Sequence, residues 1–148
     1  MEIRRSCIDN RFYGAFASKD IAVNTVIGQY KGVICNKNDS LSQYKHSIGR
    51  DVVIDSSNFL SCHGRYINDC VLKVENVRMK VLYAKKRIDI ITTKNISKND
   101  ELVTDYGPEY WEGNAALMHD HDKSKGFSLK IALSKKRIRS EEADEEDV

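Results

Sequence analysis

The sequence predicts an α+β domain in which short β-strands outnumber helices. Val, Ile, Thr and Tyr, which favour strands, occur in short runs that Gly, Asn and Ser interrupt. One later stretch alternates between apolar and mostly charged residues, the pattern of a half-buried strand. Helices are expected only as one short segment near residue 40 and beyond the single proline, near the C-terminus. These observations favour several small sheets and few helices.

The first predicted strands lie within residues 21–35. This segment is rich in Val, Ile and Tyr, and Gly28 and Gly32 divide it, so it is expected to form strands and turns rather than one helix. A further brief strand is predicted at residues 52–54, where three β-branched residues follow one another.

Polar residues mark the turns between these strands. Residues 36–40 are all polar or charged, and Asp39 or Ser40 is expected to cap a short helix that continues to Tyr44. Asn99 lies in a later polar turn and is one of the few non-Gly residue types that adopt a positive φ readily.

The most regular pattern lies between residues 77 and 92. Apolar side chains recur at every second position from Val77 to Tyr83, as in a half-buried strand. Residues 84–87 then form a charged turn, and a second alternating segment follows from Ile88. We therefore predict a β-hairpin with a charged tip.

The chain after Pro108 is expected to differ from the rest. Residues 109–118 are predicted to form a helix that closes the C-terminal side of a single domain spanning residues 1–134. Residues 135–148 contain a basic run and then an acidic run, which is the composition of a solvated tail.

The net charge of +2 conceals an uneven distribution of charge. Residues 141–147 contain six acids and no base, so the remainder of the chain has a net charge of +8. A basic surface attracts acidic partners, which predicts a contact with DNA or the nucleosome. The basic run at 135–139 resembles a nuclear import patch, and a solvated tail or a phosphate contact explains it equally well.

The composition also excludes several classes of protein. No apolar run approaches the roughly 18 residues of a membrane helix, and the N-terminus lacks the apolar stretch of a secretory signal. The sequence therefore predicts an intracellular protein with no membrane contact, and the import-like run at 135–139 makes the nucleus the expected compartment. The four cysteines contain no CxxC pair and are expected to be free thiols. His119 and His121 have an i, i+2 spacing that does not place both rings on one helix face, so no metal site is predicted.

Several short motifs occur in a fixed order along the chain. They are Phe12-Tyr13-Gly14-Ala15-Phe16-Ala17, Tyr30-Lys31-Gly32-Val33, Arg65-Tyr66-Ile67-Asn68-Asp69, Asn76, and Glu101-Leu102-Val103-Thr104-Asp105-Tyr106-Gly107. In order and spacing this set resembles the motifs of SET-domain protein lysine methyltransferases, across roughly residues 10–112. Phe12 replaces a glycine of the family pattern, and Asp69 replaces a histidine.

The resemblance implies a fold and an activity. The fold would consist of small curved sheets with a threaded, pseudoknot-like C-terminal segment. The activity would be methyl transfer from S-adenosylmethionine to a lysine of a basic protein such as a histone tail, with S-adenosylhomocysteine as product. The alternative is a SET-like module with weak or no catalysis that binds chromatin, nucleic acid or a protein partner, which the changes at Phe12 and Asp69 favour.

The resemblance also assigns roles to individual residues. Tyr106 would face the sulfonium as the catalytic phenol, and Tyr30 would line the lysine channel. Asn68 would hydrogen-bond the cofactor, and Asp69 would contribute through its main chain. The cofactor-binding set is then Phe12, Tyr13, Asn68, Asp69, Tyr106 and Trp111. Trp111 would stack on the adenine, although packing in the core explains this residue equally well.

The chemistry of such a site depends on a neutral amine. A lysine with a pKa near 10.4 is neutral in roughly one molecule in 2,500 at pH 7, and only the neutral form attacks. Burial in an apolar channel disfavours the ammonium form and helps to supply the amine. The protein then contributes mainly by positioning the reactants, and no strong general base is required.

Many SET-domain relatives complete the lysine channel with a cysteine-rich zinc segment. No cysteine follows Cys70 in this sequence, so that zinc is not expected. Residues 109–134 would instead close the site by packing, or a homodimer would supply the missing walls.

Overall fold

Short β-strands provide most of the regular structure in the described residues, which are 1–10, 12–70, 74–107 and Tyr110 of this computed structural model. The chain divides into two compact units. The first consists of Met1–Asp69 and Val74–Thr104, and the second of Cys70–Lys73 and Asp105–Val148. All strands of the described residues belong to the first unit.

The described strands are β1 Glu2–Arg5, β2 Tyr13–Phe16, β3 Val26–Gln29, β4 Val33–Asn36, β5 Lys45–Ser47, β6 Val52–Asp55, β7 Asn68–Asp69, β8 Val77–Leu82, β9 Arg87–Thr92 and β10 Val103–Thr104. Short 3-10 helices lie at Lys37–Asp39, His63–Tyr66 and Tyr83–Lys85. The predicted mostly-β character is confirmed, including the brief strand at residues 52–54.

These strands form small separate sheets rather than one large sheet. β1 pairs with β2, and two three-stranded antiparallel sheets have the orders β3-β9-β8 and β4-β6-β5. β7 and β10 form a parallel pair. Two hydrophobic clusters fill the first unit, one around Ile67, Ile90 and Leu102 and the other around Tyr30, Ile54 and Ile88. β9 contributes Ile90 to the first cluster and Ile88 to the second. These alternate residues lie on the same face of the strand, which therefore extends along both clusters.

The predicted hairpin is confirmed as β8 and β9, which pair from Val77 opposite Thr92 to Leu82 opposite Arg87. Tyr83 departs from the alternation, because it is 67% exposed and begins the turn instead of ending the strand. Lys86 closes that turn in the left-handed region, with φ 47°. The positive φ predicted for Asn99 is also confirmed, at 73°.

The helix predicted to continue to Tyr44 is wrong. A single 3-10 turn forms earlier, because Oδ1 of Asn36 accepts the Asn38 N–H at 2.9 Å and caps it. The Ser40 hydroxyl donates to Asp55 Oδ2 at 2.6 Å, and its oxygen accepts the Ser42 N–H at 3.3 Å without a helix following. Burial alone would raise the pKa of Asp55, but hydrogen bonds, with that from the Ser40 side chain the largest, lower it to about 2.

Other expectations concern the cysteines and the C-terminal part of the chain. All four cysteines are free, as predicted. The predicted helix at 109–118 and the tail at 135–148 lie outside the described residues, apart from Tyr110. Among the described residues, no helix has the length and hydropathy needed to cross a bilayer.

Candidate functional site

Two parallel strands bring the central and C-terminal motifs together. β7 and β10 pair in parallel, with Val103 opposite Asn68 and Thr104 opposite Asp69. Each of these strands contains only two residues, so the ladder itself supplies few hydrogen bonds. The position of the pair must therefore depend on neighbouring side chains.

Asn76 supplies much of that support. Its backbone N–H donates to the Val103 carbonyl at 3.0 Å, and its Oδ1 accepts the Val103 N–H at 2.8 Å. Its Nδ2 donates to the Glu101 carbonyl at 2.9 Å. Because Asn76 is buried and uses both ends of its amide in these bonds, it holds β10 in register.

The side chain of Asn68 is held in one orientation. Its Nδ2 donates to the Tyr13 carbonyl at 3.0 Å and to Oε1 of Glu101 at 3.2 Å. Two oxygen acceptors at one end of an amide identify that end as the NH₂ group. No donor in the described part of the chain bonds to the other end, Oδ1. Asn68 therefore presents a fixed carbonyl oxygen that can accept a hydrogen bond from a ligand.

Glu101 is the residue around which this arrangement is built. Its Oε1 accepts the Ser6 hydroxyl at 2.7 Å, and its Oε2 accepts the Cys7 N–H at 2.8 Å. Together with Asn68 these are neutral donors, and no described cation forms an ion pair with Glu101. The carboxylate thus connects the N-terminal segment to the central motif and places uncompensated negative charge beside Asn68.

Gly14 makes room for that carboxylate. A Cβ atom at position 14 would overlap Oε1 of Glu101 and would lie 3.4 Å from Nδ2 of Asn68. Because of this overlap, a larger residue would displace the Glu101 side chain. The glycine of the first motif is therefore required by close approach.

The other residues of the first and central motifs lie beside this group. The carbonyl of Tyr13 accepts from Asn68, while its ring lies under the Arg5 guanidinium at 4.5 Å and is half exposed. Phe12 is also about half exposed, and its carbonyl accepts the Ser6 N–H at 2.9 Å. Asp69 is buried in β7, opposite Thr104.

Tyr30 lies in the second hydrophobic cluster, with Ile54 and Ile88. Its ring is buried, and its hydroxyl donates to the Tyr44 carbonyl at 2.6 Å. A Cβ atom at Gly64 would lie 3.0 Å from the Tyr30 ring, so this glycine allows the ring to pack closely. The phenol is consequently fixed by packing and by one short hydrogen bond.

His46 and Arg65 form the surroundings of Tyr30 and Tyr44. The ring centroids of Tyr30 and His46 are 5.9 Å apart. Burial lowers the pKa of His46, and a hydrogen bond to the Ser47 backbone partly opposes this. The Arg65 guanidinium lies 4.2 Å from the centroid of the Tyr44 ring and donates to the carbonyls of Ser56 and Ser57 at 3.0 and 2.7 Å. These contacts stabilise the loop that accepts the Tyr30 hydroxyl.

The remaining predicted site residues belong to the second unit. Tyr106 is half-buried, and its ring packs edge-to-face on Tyr110 with centroids 4.7 Å apart. Asp105 accepts the N–H of Gly107, which has a positive φ of 77°. Trp111 lies outside the described residues.

The sequence alone did not single out Ser6 and Glu101. Glu101 was part of a motif without an assigned role, and its bond to Ser6 joins residues 95 positions apart. The signal available was the glycine at position 14, since a glycine within a strand often marks the close approach of another group.

A family model for the SET domain matches residues 13–107. The chain therefore belongs to the SET-domain family, which includes protein lysine methyltransferases. The strand arrangement described above is the SET-domain fold. No curated protein is similar enough in sequence to count as a match.

Solved structures share this fold at low sequence identity. The methyltransferase domain of human PR domain-containing protein 2 has a TM-score of 0.58 and 21% identity, over 69% of this chain and 73% of that chain. The Chaetomium thermophilum polycomb repressive complex 2 has a TM-score of 0.58 and 21% identity, over 71% of this chain and 15% of that chain. A structure of ctPRC2 in complex with H3K27me3 and H3K27M has a TM-score of 0.61 and 23% identity, over 71% of this chain and 14% of that chain. The chain thus spans only a small part of the polycomb complex chains that it matches.

Proposed function

We propose that this chain is a protein lysine N-methyltransferase that uses S-adenosylmethionine and acts on a basic protein, with a histone tail as the substrate. The family supports methyl transfer in general. The complex of ctPRC2 with H3K27me3 and H3K27M supports a histone as substrate class. Such a substrate is consistent with a nuclear protein.

The observation that carries the proposal is the oriented amide of Asn68. The methionine part of S-adenosylmethionine has an ammonium group, which needs oxygen acceptors, and Oδ1 of Asn68 is an acceptor without a described donor. The adjacent Glu101 carboxylate adds a negative charge that favours a cationic ligand. The residues present therefore fit the cofactor. When bound, it supplies an activated methyl group.

The roles proposed for the other residues are those that membership of the family suggests. The main chain at Phe12, Tyr13 and Asp69 would complete the cofactor pocket, with Trp111 against the adenine. Tyr106 would accept weak C–H···O contacts from the polarised methyl group, and Tyr30 would line the channel for the lysine. The buried surroundings of Tyr30 favour a neutral amine over an ammonium ion.

Methyl transfer with labelled cofactor on mixed core histones tests the proposal. Tyr106→Phe removes only the hydroxyl and is expected to lower the rate at least tenfold, since small losses of positioning have large effects on rate. Tyr83→Phe is the matched control, because Tyr83 is an exposed tyrosine at the hairpin turn and its variant is expected to keep the wild-type rate. Equal rates in wild type and Tyr106→Phe would overturn the assignment of Tyr106.

The alternative is a binding module with weak or no catalysis, and the changes at Phe12 and Asp69 favour it. Calorimetry with S-adenosylhomocysteine separates the two functions. An enzyme binds the product, and Asn68→Ala weakens that binding, whereas absence of binding by the wild-type chain would support the module.

A further inference from the structure

A group of exposed positive charges lies on the hairpin of β8 and β9. Its members, which we call the hairpin surface, are Arg78, Lys80, Lys85 and Lys86. All four side chains are exposed, and none forms an ion pair with another residue in the described ranges. Their charges are therefore not compensated locally.

The one acid in the hairpin does not neutralise this group. Asp89 lies opposite Lys80 in the pairing of β8 and β9. The Arg87 guanidinium already pairs with this carboxylate. Its Nε lies 2.9 Å from Oδ1, and its Nη2 donates to Oδ2 at 3.0 Å. This ion pair, which has one hydrogen bond to Oδ2, compensates the charge of Asp89, and Lys80 forms no ion pair with it.

Among the described residues, positive charge is concentrated on the hairpin of β8 and β9. Residues 77–89 contain five bases and one acid. The other described residues contain ten bases and eleven acids, so they are nearly neutral as a set. An attraction for polyanions would therefore be directed to the hairpin.

The shape of the hairpin leaves the surface accessible within the first unit. β8 is an edge strand of the sheet β3-β9-β8. β3 pairs with β9 only as far as Gln29 opposite Asp89, so the last pair of the hairpin, Leu82 with Arg87, lies beyond it. A two-stranded ribbon of this kind fits the major groove of B-DNA, which is roughly 12 Å wide. Arg78 and Lys80 lie on one face of β8, about 7 Å apart.

The backbone at Lys86 provides an independent observation. Lys86 has φ 47° and ψ 47°, in the left-handed region that Gly and Asn adopt more readily than Lys. The turn therefore holds a lysine where another residue would be less strained. Strain of this kind is a reason to consider function at the position.

We infer that the hairpin surface binds the phosphate backbone of duplex nucleic acid. This binding goes beyond methyl transfer, and it requires neither cofactor nor catalysis. The exposed charges, the projecting ribbon and the pairing of its one acid with Arg87 all fit a regular array of phosphates. An acidic polypeptide, such as residues 141–147 of this chain, is the competing occupant that the experiment must distinguish.

Fluorescence anisotropy with a labelled 25-base-pair DNA duplex and the full chain tests the inference. The variant Arg78→Gln/Lys80→Gln/Lys85→Gln/Lys86→Gln is expected to raise Kd at least tenfold at low salt. It should also reduce the slope of log K against log salt by about 3.6, at about 0.9 for each phosphate that the variant no longer neutralises. The control Lys19→Gln/Lys31→Gln/Lys37→Gln/Lys98→Gln removes the same charge from other exposed positions and is expected to change Kd less than twofold.

The outcomes separate the inference from its rivals. An equal loss of affinity in the two quadruple variants, or no loss in the hairpin variant, would overturn it. Competition by a synthetic peptide of residues 140–148 that equals competition by unlabelled duplex would assign the surface to acidic polypeptides instead, and would also overturn it. Because no methyl transfer is measured, failure here leaves the proposed enzyme untouched.

A single substitution distinguishes a binding role from a structural one. Lys86→Asn suits the left-handed backbone, so its Tm is expected to equal or exceed that of the wild type, while its Kd for the duplex rises about threefold. Unchanged duplex binding by Lys86→Asn would show that the Lys86 charge takes no part in binding, and would contradict the inference.

Discussion

At the scale of single residues, Glu101 is the group whose loss should reveal most about the site. It accepts from Ser6, Cys7 and Asn68, and Gly14 exists as a glycine because the carboxylate fills the space beside it. The sequence alone does not distinguish the role of Glu101 from that of the other acids, of which the chain has 22 in total. Its importance comes from contacts that only the folded chain creates.

Glu101→Gln should weaken cofactor binding more than it weakens the fold. The substitution keeps the size of the side chain but removes its charge and turns one acceptor into a donor, so we expect Kd for S-adenosylhomocysteine to rise about threefold to tenfold. Glu101→Ala should also lower the free energy of unfolding by about 1–3 kcal/mol, because the donors of Ser6, Cys7 and Asn68 lose their acceptor. Calorimetry and urea unfolding measure the two effects.

The matched control for this prediction is Asp100→Asn, which removes a charge from the exposed neighbouring residue. It should leave the cofactor affinity within about twofold of wild type, since interactions between exposed charges are screened by water and salt. Equal affinity losses in Glu101→Gln and Asp100→Asn would show that Glu101 acts only through general charge.

His46 should make stability depend on pH near neutrality. Burial lowers its pKa in the folded state, so below the ordinary value of 6.5 the unfolded chain binds a proton that the folded chain does not. Stability contributed by neutral His46 is therefore present above about pH 6.5 and is lost as pH falls below it. The free energy of unfolding should therefore fall between pH 7.5 and 5.5.

Urea unfolding at the two pH values measures this effect. His46→Gln should show a smaller loss of stability than wild type, whereas His63→Gln, at an exposed position, should keep the wild-type loss. A wild-type stability that does not fall between pH 7.5 and 5.5, or falls equally in His46→Gln, would contradict the assignment.

At the scale of elements, the sequence predicted the strands in which apolar side chains recur at a regular spacing. The alternation from Val77 onward has enough periods to define β8, and the charged residues after it define the turn. The helix expected near Ser40 is replaced by an earlier 3-10 turn, Lys37–Asp39, which Asn36 caps. The Ser40 hydroxyl donates to Asp55 and its oxygen accepts the Ser42 N–H at 3.3 Å, a local side-chain bond that stabilises a turn instead of the start of a helix.

The elements that form the site could not be predicted from periodicity. β7 and β10 have two residues each, and two residues carry no pattern. Their pairing joins Asn68 to Val103, and it depends on Asn76 and Glu101 rather than on strand propensity. Motif resemblance pointed to Asn68, but the orientation of its amide follows from a carbonyl at Tyr13 and a carboxylate at Glu101. The order of the motifs thus indicated the class of site, and long-range packing supplied its geometry.

At the scale of the whole chain, distant segments depend on one another. The hydroxyl of Ser6 bonds to Glu101 across 95 positions, and Phe16 forms a β-bridge with the same residue. In the first unit, β9 joins both hydrophobic clusters through Ile88 and Ile90. A substitution near the N-terminus should therefore perturb the site around Glu101.

This organisation predicts slow folding. Domains dominated by non-local strand pairs fold in milliseconds to seconds, because loop closure is unfavourable until late contacts form. Stopped-flow refolding from urea, followed by circular dichroism, should give a relaxation time on the order of 10 ms to 1 s. Refolding complete within about 100 μs, as in small helical bundles, would contradict the importance of these distant contacts.

Ser6→Ala tests which contact forms last. Its bond to Glu101 has the largest sequence separation of the site contacts described above, so it should be absent from the folding transition state. The variant should then unfold several-fold faster and refold at nearly the wild-type rate, with a stability loss of about 1–2 kcal/mol. A variant that instead refolds more slowly and unfolds at the wild-type rate would mean that the N-terminal segment docks early. The site around Glu101 would then be assembled before the rest of the first unit.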